Sequence, residues 1–174
     1  MGLIEQLRPA APPDPHSAEG QAQRLERAND TIVELLRQPE VARRVRAAGP
    51  EEWSVVQVIG HVIELVSYWT REVQALASAS GAPPHFGRAL DASERLEAVA
   101  HGAASDPDVL LRQMDGAVRA AAADIRGMTP EQRGRKGVHN RRGELTVAEF
   151  VDILIVGHVE DHLTQIKQVL GAPG

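Results

Sequence analysis

Two segments of the chain open with the same device: an apolar residue, then a hydroxyl residue, then an amide or acid three places further on. Trp53-Ser54-Val55-Val56-Gln57 and Leu145-Thr146-Val147-Ala148-Glu149 both read as capping boxes, which satisfy the free N–H groups at a helix start. Trp53 is placed to staple against Val58, and Leu145 against Phe150. Apolar residues then recur at three- and four-residue steps, so each box begins a long amphipathic helix. The expected spans are 54–80 and 146–170, the second stopped by Gly171.

Two further helices complete the set. Residues 17–38 place Ala18, Ala22, Leu25, Asn29, Ile32 and Leu36 on one face, and Pro39 ends the run. Asn29 is the odd member of that face, either a buried amide that fixes register or a group lining a polar cavity. Asp106-Pro107, a cap followed by proline at the first helical position, opens another helix that closes near Gly127. Aromatic residues are scarce and no stretch alternates between hairpin turns, so no sheet is expected.

The expected fold class is therefore all-α, a four-helix bundle over residues 17–174. Residues 1–16 carry Pro9, Pro12, Pro13 and Pro15 and read as a mobile or extended arm. The connection 81–105 holds Pro83, Pro84 and a short helical piece capped by Asp91 with Glu94 three residues on. At about 25 residues it can travel the length of a bundle, so the second and third helices run the same way. The order is up-down-down-up.

With 174 residues the chain suits one domain with a core of its own. It has no cysteine, which excludes disulfides, thiolate metal sites and a thiol nucleophile of its own. The N-terminal residues lack the apolar core of a signal peptide, and no segment has the roughly 20 apolar residues of a membrane span, so the cytoplasm is expected and membrane contact is not. A formal charge of −5 repels phosphate backbones, and nucleic acid is not an expected partner. The one basic stretch, Arg133, Arg135, Lys136, Arg141 and Arg142, reads first as a solvated loop between helices, second as an anion or substrate contact, and only third as a nucleic acid contact.

Function is carried by the histidines. On a wheel of about 100° per residue centred on Leu154, His158 lies inside the apolar stripe of the fourth helix and His162 at its edge. On the second helix His61 flanks the stripe of Val58, Val62, Leu65, Trp69 and Leu76. At 1.5 Å per residue, His61 lies about 10 Å from the start of its helix and the His158/His162 midpoint about 15 Å from the end of the other. Antiparallel helices bring the three rings near one level, whereas parallel ones offset them by about 10 Å, too far for bonds of about 2.1 Å to one ion. Three neutral imidazoles converging in an apolar core suit zinc, nickel, iron or copper. His16, His85, His101 and His139 fall in expected loops or the arm and read as exposed.

Trp53-Ser54 leading to His61, with Leu145-Thr146 leading to Gly157-His158-Val159-Glu160-Asp161-His162-Leu163-Thr164-Gln165-Ile166, resembles the DinB-like superfamily of metalloenzymes. The likeness runs over residues 17–170. It implies an up-down-down-up bundle, commonly dimeric, with His61, His158 and His162 holding one divalent ion. Among that family are S-transferases that use small thiols such as bacillithiol or mycothiol, so the resemblance implies a low-molecular-weight thiol co-substrate; for the ion itself, the imidazole donors put zinc or nickel first, with iron as a further candidate. Three protein ligands leave a coordination position open, where a cation lowers the pKa of a thiol or a water. A thiol would make the chain an S-transferase; water would make it a hydrolase; a non-catalytic metal-binding or interaction bundle is the third reading.

Supporting roles are open. Asp161, near the inward stripe, is a candidate to orient a histidine or act on substrate, or forms a core-edge salt bridge. Glu64 is a candidate fourth ligand or base that points nearer solvent, and Tyr68 either lines the pocket or packs with its hydroxyl satisfied. Val156, Val159, Leu163 and Leu170 form a second apolar side on the fourth helix, and Val56, Ile59 and Ile63 one on the second. Such faces suggest a homodimer, unless the 81–105 crossover covers them.

Overall fold

The computed structural model describes residues 12–47, 52–89 and 91–171. Of the expected arm, residues 1–11 lie outside these. Asp14 to Ser17 is not loose: Ser17 N–H donates to the Asp14 carbonyl at 3.0 Å, and the Ser17 hydroxyl then caps the first helix by accepting from Gly20 N–H. Helix α1 runs Ala18–Leu36. Pro39, expected only as a terminator, also occupies the first position of a one-turn helix, α2, Pro39–Ala42.

Helix α3, Val55–Ser78, starts at the expected box: Ser54 N–H donates to Gln57 Oε1 at 2.8 Å. The crossover behind it is more ordered than its sequence indicates. It contains a short strand, β1, His85–Phe86, and a full helix, α4, Ser93–Ala104, whose N-cap is Ala92 rather than Asp91. This helix lies against α3 with backbones touching. A methyl group on Gly60 would stand 2.4 Å from the Ala98 carbonyl oxygen, and one on Gly102 would stand 2.3 Å from that of Val56. That contact buries Val56 and Ile59, while Val156, Val159 and Leu170 are buried elsewhere in the same chain. Of the second apolar sides, only Ile63 and Leu163 remain partly exposed.

Helix α5, Pro107–Gly127, is capped by Asp106 as expected, and a short α6, Pro130–Gly134, follows. The expectation of no sheet fails next. Strands β2, Lys136–His139, and β3, Gly143–Thr146, form an antiparallel hairpin, and β1 adds to β2 in parallel. The basic stretch is therefore largely hairpin, not loop. Its strands are too short to declare an alternating pattern, and tertiary contact holds them: Phe86 meets Phe150 edge-on, ring centres 4.4 Å apart.

The last helical rod has three continuous parts: α7, Val147–Phe150, a π-helical segment, Val151–Val156, and α8, Gly157–Leu170, ended by Gly171 in the left-handed conformation. Thr146 and Glu149 form the expected box. A π turn holds more residues than an α turn, so one 100° phase does not run through this rod.

Cross-helix pairs fix the directions. Arg126 near the end of α5 pairs with Glu19 and Glu26 in the first half of α1, while Arg119, two turns earlier, pairs with Asp30 further along, so α1 and α5 are antiparallel. Gln21 reaches Ala148 and Arg24 reaches Glu160, so α1 and the final rod run together. The main helices α1, α3, α5 and the final rod make a four-helix bundle, up-down-down-up, and the mostly apolar core lies among them. Asn29 settles as a register amide: its Nδ2 donates to Asp115 Oδ1 across the α1–α5 seam at 2.8 Å.

Candidate metal centre

Helix α3 presents His61 in its second turn, and α8 presents His158 and His162 immediately after the π segment. The antiparallel pairing of those helices places the three rings together as expected. Ring centres of His61 lie 5.8 Å from His158 and 5.0 Å from His162, and the latter two stack at 4.9 Å. One nitrogen from each comes within 4.8 Å of the others.

Burial and charge make this a set of lone pairs. His61 is 2% exposed, and burial, then the neighbouring His162, push its pKa down to about 3. Burial likewise pushes His158 down to about 4 and lowers His162. All three rings are neutral at pH 7, the form a metal ligand requires. Two of their buried nitrogens, His61 Nδ1 and His162 Nε2, have no hydrogen-bond partner among the described residues. Such orphans cost about 1–3 kcal/mol each unless something accepts the pair. At His162 the other nitrogen explains the orphan. Its Nδ1 stands 2.9 Å from Gln165 Oε1, a contact that needs the proton on Nδ1 and leaves Nε2 with its lone pair toward the site. The donor set fits one borderline divalent ion.

The supporting candidates fare differently. Asp161 is exposed and does not join the set, because the π segment shifts the phase from which its inward position was read, although its charge still acts on His162. Glu64 is 17% exposed, and Arg88 engages both its carboxylate oxygens, one at 2.7 Å, so it is an ion-pair member rather than a ligand. Tyr68 is half-buried, with the Arg88 guanidinium 4.1 Å above its ring and Trp69 edge-on at 4.8 Å. Trp53 packs edge-on against His61 at 5.3 Å, under the guanidinium of Arg95.

His139 overturns the expectation of an exposed loop ring. It ends β2 only 4% exposed, among Trp69, Phe86 and Phe150, and the Arg141 N–H donates to its Nδ1 at 3.2 Å. His16, His85 and His101 are exposed as expected, though His101 lies in α4. His139 helps line a cleft that opens beside His61 and His158, with Leu65, Trp69 and Leu154 as its apolar wall. Gln165 and this cleft are what the sequence reading missed. Gln165 carries a local signal, standing three residues after His162 on one helix face; the cleft, assembled from four distant segments, carries none.

Two solved structures share the architecture. YfiT from Bacillus subtilis, described as a probable metal-dependent hydrolase with an unusual four-helix bundle topology, is 17% identical, with a TM-score of 0.71 over 95% of this chain and 94% of that one. A mutant of a mycothiol-dependent maleylpyruvate isomerase is 13% identical, with a TM-score of 0.66 over 95% of this chain and 63% of that longer one. Among curated proteins there is no significant match. No helix among the described residues is long and apolar enough to cross a membrane. The family model of the DinB superfamily matches residues 7–166, nearly the whole chain, and the protein belongs to that superfamily.

Proposed function

We propose that the chain is a metal-dependent enzyme in which His61, His158 and His162 hold one divalent ion, zinc or nickel before iron, and that it transfers a low-molecular-weight thiol to an electrophile. The observation that carries this reading is the pair of buried, unpartnered nitrogens on His61 and His162 within a neutral three-ring set. When bound, the ion supplies Lewis acidity that lowers the pKa of a thiol or water at its open position. The chain's own part is to keep the rings deprotonated by burial, to hold the His162 tautomer through Gln165, and to shield His61 behind Trp53. With no cysteine in the chain, sulfur must arrive on a co-substrate. The mycothiol-dependent neighbour supports that choice.

A metal-dependent hydrolase is the second reading. It is favoured by YfiT, the neighbour that matches end to end, where the isomerase is covered over only 63% of its length. Elemental analysis of protein purified without an affinity tag tests the shared part: about one ion per chain is expected, and none would end both readings. Metal-loaded protein is then offered a thiol with an electrophile, and separately an ester or amide without thiol. Turnover only in the first mixture supports the transferase, turnover in the second the hydrolase, and turnover in neither a binding bundle.

A further inference from the structure

The basic stretch of the sequence finds a use beside the histidines. Four guanidinium groups, those of Arg88, Arg95, Arg141 and Arg142, line the cleft that adjoins His61 and His158, and no carboxylate is among its lining residues. This concentration stands in a chain whose formal charge is −5. Arg88 is engaged by Glu64, and Arg95 stands over Trp53. Arg141 and Arg142, at the turn between β2 and β3, form no ion pair with a carboxylate among the described residues.

That turn is anchored. Buried His139 precedes it, Asn140 N–H donates to the Phe86 carbonyl at 3.1 Å, and the Asn140 amide donates to that of Arg88 at 3.3 Å. The anchors hold the two arginines at the cleft, which they line together with His61 and His158. Adjacent like charges repel one another, and an anion between them removes that cost. Guanidinium groups meet a carboxylate through paired, charge-assisted hydrogen bonds.

We propose that this cleft is a carboxylate subsite: the molecule that reacts at the three-histidine centre carries a carboxylate bound by Arg141 and Arg142, with its hydrocarbon part against Leu65, Trp69 and Leu154. The proposal rests on the reading of that centre as the reactive one. Either the thiol co-substrate or the electrophile can bring the carboxylate, and the chemistry of recognition is the same. A long polyanion is disfavoured by the chain as a whole, whose formal charge is −5.

The test is calorimetric titration of the full chain at low ionic strength, with and without zinc. The probes are matched pairs that differ in one charge: butyrate against butyramide, and N-acetylcysteine against its amide. The acid of each pair is expected to bind the metal-free protein at least tenfold more tightly than the amide. Arg141→Gln with Arg142→Gln should abolish the preference while leaving helical circular dichroism and zinc content unchanged, because both side chains are exposed. Equal binding of acid and amide overturns the proposal, as does a preference that survives the double substitution or exists only with zinc present, since the carboxylate would then be a metal ligand. Failure to bind zinc would sink the proposed function and leave this result standing. In turnover, a carboxylate preference on the thiol assigns the subsite to the co-substrate, and one on the acceptor assigns it to the electrophile; both support it.

Discussion

Gln165 Oε1 lies 2.9 Å from His162 Nδ1, one helical turn further along α8, and this contact decides which nitrogen of His162 is available to a ligand. Outer hydrogen bonds of this kind typically contribute 10- to 100-fold in metal affinity. Gln165→Leu should weaken zinc binding by about that range without unfolding the chain, and Gln165→Glu should restore it, because the acceptor returns. Competition with a calibrated chelator measures both. Wild-type affinity in Gln165→Leu would show that the contact is only structural.

The three histidines themselves are expected to act as a unit. His61→Ala, His158→Ala and His162→Ala should each cut metal content sharply while far-ultraviolet circular dichroism stays helical, since the apolar core among the four helices is left in place. Elemental analysis of the three purified variants reads this directly. A variant that keeps a full ion removes its residue from the site.

What the sequence made legible is what depends on near neighbours along the chain. The boxes at Ser54 and Thr146 and the cap at Asp106 lie where they were expected because each is closed by hydrogen bonds within three residues. His61, His158 and His162 converge because rise per residue and helix direction are enough to set their level. What stayed hidden needs distant partners. The Gly60–Gly102 contact joins two glycines with no local signal, and β1 exists only because β2 lies beside it. The π segment at Val151–Val156 reset the face of Asp161, and nothing in its apolar sequence marks it.

Gly102→Ala tests that hidden helix contact. Alanine favours an isolated helix over glycine by up to about 1 kcal/mol. The new methyl, though, would stand 2.3 Å from the Val56 carbonyl oxygen, a backbone atom that cannot rotate away. Overpacking costs about 1–3 kcal/mol, so the clash should win. Thermal unfolding should fall by roughly 2–4 °C for each kcal/mol in a chain of this size. Because α4 carries Arg95 over Trp53, which covers His61, zinc affinity should fall as well. An unchanged melting temperature would mean that α4 can move off α3 at no cost.

The last expectation concerns acid and His139. Burial among Trp69, Phe86 and Phe150, reinforced by the positive charges of Arg142 and Arg141, lowers its pKa in the folded chain. Unfolded histidine titrates near 6.5, so below that pH the unfolded chain takes up a proton that folded His139 refuses. Stability then rises with pH through the window between the lowered folded value and about 6.5, and is lost as pH falls through it. One such group contributes a slope of at most about 1.4 kcal/mol per pH unit. His61, His158 and His162 are lowered in the same sense and add to the slope of the metal-free protein. His139→Asn keeps an acceptor for the Arg141 N–H but cannot titrate, so urea denaturation of the metal-free variant at pH 7, 6 and 5 should show a slope smaller than wild type by up to one proton. An identical slope would mean that His139 stays equally easy to protonate in the folded and unfolded chain, and that the ring contacts around it do not exclude charge.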